Sequence, residues 1–75
     1  MPVGDIEGEM TVTVDGMELA FPPGATLVDV LEREGLPGKH VVVEINGKYV
    51  PQQAFANTPL CEGDRVELIL PAFGG

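Results

Sequence analysis

The residues with the clearest chemical potential stand at the very end of the sequence, which closes "LILPAFGG". An apolar run meets Pro71, then Ala72, Phe73, Gly74 and Gly75. Proline peels a chain off a sheet ladder because it has no N–H to donate. Phe73 offers an apolar anchor for a partner's pocket. Two glycines allow an α-carboxylate to thread a channel too narrow for any side chain, in conformations other residues avoid. The five residues from Pro71 to Gly75 reach at most about 17 Å. A carboxylate presented in this way suits activation by ATP to an acyl-adenylate, which a sulfur or amine nucleophile can then attack. Chance is a weak competitor, since with glycine near 7% of residues a Gly-Gly end arises in roughly 0.5% of chains.

The rest of the sequence supplies no competing chemistry. One cysteine, Cys61, and one histidine, His40, cannot assemble a zinc or iron–sulfur site. Cys61 reads as an ordinary structural or loop thiol, and His40 as a structural or surface side chain. No Ser/His/Asp set and no GxxxxGK phosphate loop is present. Glu32 and Glu34 read as the solvated face of a helix. No bound cofactor is expected and the chain is not expected to be an enzyme.

Four basic against twelve acidic residues give a net charge of −8. That balance disfavours nucleic acid, whose binders neutralise phosphates with lysine and arginine. It suits docking on a basic partner, though solubility alone also accounts for it. No apolar run approaches the roughly 20 residues of a membrane span. The start "MPVGDIEGEM" has neither the basic nor the apolar region of a secretory signal, so cytoplasmic residence is expected.

The elements that must hold the tail can be read from periodicity. Residues 1–9 carry Asp5, Glu7 and Glu9 without apolar pattern and are expected to be a disordered lead-in; residues 10–70 form the domain and 71–75 a flexible tail. "MTVTV" alternates with period 2, and Asp15-Gly16 is a two-residue hairpin signal. Folding back there sets Leu19 opposite Val12 and Phe21 opposite Met10. "PPG" ends the second strand. A helix follows, with Thr26 as N-cap, Asp29 in the first turn, Leu27, Val30 and Leu31 on one face, and Gly35 as the stop.

"HVVVEI" over 40–45 predicts a third strand with Val41, Val43 and Ile45 inward. Asn46-Gly47 turns it into a short fourth strand, "KYV". The stretch 51–60 reads as irregular, pinned by Phe55 and Leu60. "RVELIL" predicts a last strand with Val66, Leu68 and Leu70 inward. One helix must cover one face of a mixed sheet of four to five strands, with the first and last strands parallel at its centre. That is an α+β roll of the β-grasp, ubiquitin-like kind. Val42 and Ile69 then face outward and form a candidate docking patch ringed by Glu44, Arg65 and Glu67.

With this layout, the chain resembles the prokaryotic ubiquitin-like sulfur carriers, and most closely those of thiamine biosynthesis. The resemblance covers Met10 to Gly75 and rests on "VDGMELAFPPGATLVDVLE", "VVVEINGKYVPQQAF", "LCEGDRVELI" and the final "GG". Where that family has Val-Pro-Arg before an aromatic, this chain keeps Val50-Pro51, places Gln52 at the arginine and Phe55 at the aromatic. Thiamine carriers often have a third glycine; "LPAFGG" leans instead toward the small subunit of molybdopterin synthase, the alternative relative. The resemblance implies that the Gly75 carboxylate is adenylated with ATP by a ubiquitin-activating-like adenylyltransferase. It implies conversion to a thiocarboxylate with cysteine-derived sulfur and delivery of that sulfur to thiazole synthase. A protein modifier conjugated through Gly75, and a plain interaction domain with incidental glycines, are the other readings. The chain is expected to be monomeric alone.

Overall fold

Two short turns set the sheet register. Asp15 and Gly16 both take positive φ (50° and 86°), as do Asn46 and Gly47 (52° and 84°). Positive φ at both central residues is the requirement of a type I′ turn, whose twist matches that of the flanking strands. The computed structural model describes residues 8–36 and 40–70. The first turn joins β1 (Met10–Val14) to β2 (Met17–Phe21), and the second joins β3 (Val42–Ile45) to β4 (Lys48–Val50). Met10 pairs with Phe21 and Val12 with Leu19, the register the alternation predicts.

β5 (Arg65–Ile69) closes the sheet between the hairpins, giving the order β2-β1-β5-β3-β4. It runs parallel to β1 and antiparallel to β3. A parallel pair needs a long crossover, and α1 (Leu27–Glu34) supplies part of it. Leu27, Val30 and Leu31 from the helix enter one buried cluster with Val12, Val14, Val43 and Val66 from the sheet. The architecture is therefore a ubiquitin-like β-grasp, with one helix across one face of a five-stranded mixed sheet. Among the described residues no polar or charged side chain is buried.

The helix is closed at both ends by its own sequence. Thr26 Oγ1 accepts from the Val28 N–H at 3.2 Å, and Asp29 Oδ2 accepts from the Thr26 N–H at 2.8 Å, which completes a capping box. At the other end the Leu36 N–H donates to the Leu31 carbonyl at 3.0 Å and the Gly35 N–H to Glu32 at 3.1 Å, the Schellman pattern. An eight-residue helix is marginal by itself, so these caps matter. Thr26→Ala is expected to cost about 1 kcal/mol, lowering the melting temperature by roughly 4–8 °C in a calorimetric scan.

Three expectations need correction. The third strand begins at Val42 rather than at His40, although Val41 is buried as expected. The stretch read as irregular contains a 3-10 helix, Gln52–Asn57. Phe55 and Leu60 do anchor it, each 4% exposed. Leu70, expected inward, is 55% exposed. The reason lies in the ladder: β3 begins at Val42, opposite Ile69, so β5 has no partner residue for Leu70 and ends one position earlier. The expected lead-in, save Gly8 and Glu9, and the whole expected tail from Pro71 to Gly75 lie outside the described residues.

Candidate functional site

The strand that leads to Gly75 sits at the centre of the sheet, paired on both sides and held further by side-chain bonds. β1 ends at Val14, yet β5 continues to Ile69. Asp15 bridges the difference. Its N–H donates to the Val66 carbonyl at 2.9 Å, and its Oδ1 accepts from the Leu68 N–H at 3.0 Å. A side-chain carboxylate thus extends the ladder where the strand backbone has already turned away. Sequence reasoning gave Asp15 a turn role only; the second role follows from the length mismatch between β1 and β5.

The start of β5 is fixed by a second set of bonds. Asp64 Oδ2 accepts from the Cys61 N–H at 2.7 Å, closing the turn before the strand. Asp64 Oδ1 accepts from Asn46 Nδ2 at 2.9 Å, and Asn46 Oδ1 accepts from the Arg65 N–H at 2.9 Å. Asn46 therefore ties the β3–β4 turn to the entry of β5. On the other side, the Gly63 N–H reaches the Thr11 carbonyl and the Thr11 N–H reaches Glu62 Oε1. This explains "EGD" physically: each of its residues bonds across a strand boundary. Asp64 was not singled out from the sequence and Asn46 was read only as a turn former; their signal is the Asn-Gly and Gly-Asp turn chemistry itself.

The outward face of the sheet carries the predicted patch residues. Val42 and Ile69 are direct cross-strand partners on β3 and β5, 40% and 45% exposed. Leu70 follows Ile69 and is exposed as well. Glu44 pairs with Glu67 in the next outward row, and Tyr49 of β4 pairs with Glu44. Arg65 and Glu67 are both exposed, Arg65 lying opposite Thr13 of β1. Val42 and Ile69, and beside them Glu44 and Glu67, thus form two adjacent cross-strand pairs on this face near the end of β5, with Arg65 two residues before Glu67. Pro71, Phe73, Gly74 and Gly75 lie outside the described residues.

Two further residues read from the sequence lie at the surface. Cys61 is an exposed free thiol in the turn before β5, and His40 is exposed. Among the described residues no group of three His, Cys, Asp or Glu side chains could hold a metal ion. A groove of about 300 Å³ lies between α1 and the 3-10 helix, lined by residues including Val28, Leu31, Leu36, Gln52 and Phe55. Gln52, at the position where the resemblance expects arginine, borders that groove. Among the described residues no helix is long and apolar enough to cross a membrane.

The described residues form a ubiquitin-like β-grasp domain whose central strand β5 is its last element. Comparison with known proteins narrows the class. The model of the ThiS family matches residues 8–75, and the chain belongs to that family. The crystal structure of the thiamine biosynthesis protein ThiS from Geobacter metallireducens is similar, with a TM-score of 0.73 and 28% identity. The match covers 88% of this chain and 100% of that one. A solution structure of a thiamine biosynthesis protein from the same organism gives a TM-score of 0.72 at 28% identity, covering 88% of each chain. Caldiarchaeum subterraneum ubiquitin shares the fold, with a TM-score of 0.51 and 19% identity over 89% of this chain and 96% of that one. No curated protein matches. The family membership makes the chain a small ubiquitin-like sulfur carrier of thiamine biosynthesis, a carried protein rather than a catalyst.

Proposed function

We propose that the chain carries sulfur on its Gly75 carboxylate. A ubiquitin-activating-like adenylyltransferase joins that carboxylate to AMP from ATP, with pyrophosphate leaving. A cysteine-derived sulfur nucleophile then attacks the acyl carbon and displaces AMP. The resulting thiocarboxylate is a soft, accessible nucleophile that delivers its sulfur to thiazole synthase. ATP and the sulfur donor are used by the partners, and the carrier itself holds no cofactor. The observation that carries this reading is that the family match runs through to Gly75, six residues beyond the end of the central strand β5.

The test is an intact-mass measurement after incubation with ATP, the adenylating enzyme and a sulfur donor. A mass increase equal to replacing one oxygen by sulfur, localised to Gly75, supports the proposal. Isopeptide adducts on other proteins would instead identify a protein modifier, and conversion by a molybdopterin pathway's enzyme alone would redirect the sulfur to that pathway.

We further propose that the Val42–Ile69 pair, with Arg65 and Glu67 at its border, is where the activating enzyme docks. Isolated exposed aliphatics are commonplace on protein surfaces. These two are paired across strands and sit where the chain departs toward Gly75, so a partner that reads the tail meets them first. Val42→Ala combined with Ile69→Ala is expected to raise the KM of adenylation about tenfold or more. Because both side chains are exposed, melting temperature and turnover at saturating carrier should stay close to those of the parent. An unchanged KM in this double variant would remove the patch from the docking surface.

A further inference from the structure

In a strand with neighbours on both sides, the backbone groups of successive residues point to the two neighbours in turn. In β5 the Arg65 carbonyl accepts from the Asn46 N–H on the β3 side at 2.7 Å, and the Val66 carbonyl accepts from the Asp15 N–H on the β1 side at 2.9 Å. By that alternation Leu68 bonds toward β1, and Ile69 toward β3, where Val42 stands opposite it. But the pairing of β1 with β5 ends at Val14 and Val66, and the chain turns away at Asp15-Gly16. The β1 backbone offers Leu68 no acceptor, and Asp15 Oδ1 takes its N–H at 3.0 Å.

This bond is the β1-side tie nearest to the point where the chain leaves the ladder after Ile69. Without it, Glu67 to Ile69 would be held from β3 alone, as an edge strand is. Strand ends with few buried contacts open locally at low free energy. Ile69 is one of the two aliphatic residues of the proposed docking face, and Gly75 follows it by six residues. Each opening would take Ile69 away from Val42 and lengthen the unpaired stretch between the docking face and the carboxylate. The turn itself asks only for positive φ at position 15, which glycine or asparagine also supplies. The oxygen acceptor is a second, separable property of this residue.

We infer that Asp15 is a positioning residue for the reaction at Gly75: its carboxylate fastens the end of β5 at Leu68 and so fixes where the docking face ends and the stretch to the reacting terminus begins. This rests on the proposed sulfur-carrier chemistry and docking face. Asp15 acts through Leu68. A partner that binds only carriers with Ile69 in register has its apparent affinity reduced by the fraction so arranged.

Two substitutions at one position separate the turn from the acceptor. Asp15→Gly leaves positive φ accessible and removes the oxygen, whereas Asp15→Asn keeps both. Amide hydrogen exchange of the free carrier reads the strand end. KM and kcat for adenylation, measured well below each variant's melting midpoint, read the reaction. Asp15→Gly is expected to speed exchange at Ile69, which bonds on the other side of β5 from Asp15, by about threefold to tenfold. Its KM should rise about threefold or more with kcat close to the parent's. Asp15→Asn should restore both readouts to parental values. A backbone ester at Leu68, introduced by semisynthesis, removes the N–H in place of the acceptor and should reproduce the raised KM with Asp15 intact. A merely structural role would lower the melting temperature and leave the KM of the folded protein unchanged, so an unchanged KM in the Asp15→Gly and ester carriers overturns the inference. Equal losses in Asp15→Gly and Asp15→Asn would overturn it too, because the charge would then be what matters. So would a raised KM with unchanged exchange at Ile69, which would put Asp15 in direct contact with the partner. A parent carrier that is not adenylated at all would refute the carrier reading and this inference with it, and that result is read before any variant is compared.

Discussion

Deletion of Gly75 is expected to lower thiocarboxylate formation by at least about 100-fold, while the melting temperature stays within a degree or two of the parent. The two halves of that result have different causes. Removing one residue moves the carboxylate back by ~3.3–3.6 Å. In-line attack on a nucleotide phosphate needs reacting atoms held near contact distance, and a displacement of even 1 Å can cost 100-fold. Stability, by contrast, comes from the ladder over Met10–Ile69 and from the buried cluster bounded by Val12 and Val66. Gly75→Ala restores the length but adds a Cβ at the acyl terminus, so it should bind the enzyme with near-parental Kd and convert slowly. Intact mass reads the product, and a thermal melt run on the same samples reads the fold. Full conversion of the shortened chain would mean that the chemistry lies elsewhere, and the carrier mechanism would have to be abandoned.

The fold was largely legible because each element carries its own local instruction. Asp15-Gly16 and Asn46-Gly47 name their turns, Thr26 and Gly35 name the ends of the helix, and period-2 alternation names the inward residues. The parallel placement of β1 and β5 followed from having a single helix to cover a single sheet face. What was not legible depended on relations between distant segments. Leu70 alternates correctly for an inward residue, and only the starting point of β3 leaves it outside. The 3-10 helix over Gln52–Asn57 has no strong periodicity, and its stability comes from outside. Thr58 Oγ1 donates to the Ala54 carbonyl at 2.7 Å, the Leu27 N–H donates to the Thr58 carbonyl, and Phe55 is buried among core residues.

The site was legible in part for the same reason. Outward orientation of Val42 and Ile69 follows from alternation, whereas their direct pairing is a matter of register between β3 and β5, which no local signal sets. The same register places Glu44 against Glu67. Asp15 and Asn46 show the opposite case: their residue types were noted as turn formers, but their side-chain bonds to Leu68 and Arg65 depend on where β5 lies.

Leu27→Ala should produce the complementary result to the Gly75 deletion, a large loss of stability with intact chemistry in the molecules that remain folded. Leu27 is the first residue of α1 and has no exposed surface, and it belongs to the cluster that joins helix to sheet. Truncating a buried leucine costs about 2–5 kcal/mol, because the lost transfer energy is joined by a cavity that neighbours only partly fill. A domain of this length has about 4–11 kcal/mol in total, so the substitution removes a large share of it. The melting temperature should fall by roughly 10–30 °C, and the denaturant midpoint should fall with an unchanged slope if the unfolded state is unaffected. Leu70→Ala is the matched control: the same atoms are removed from a side chain that is 55% exposed, and the change should stay within about 0.5 kcal/mol. Assayed well below its own midpoint, the Leu27 variant should form thiocarboxylate at the parental rate per folded molecule. The domain would then act by presenting its last strand, with reactivity confined to the tail. A Leu27 variant that stays fully folded yet converts slowly would contradict that separation, because it would tie the helix to the chemistry at Gly75.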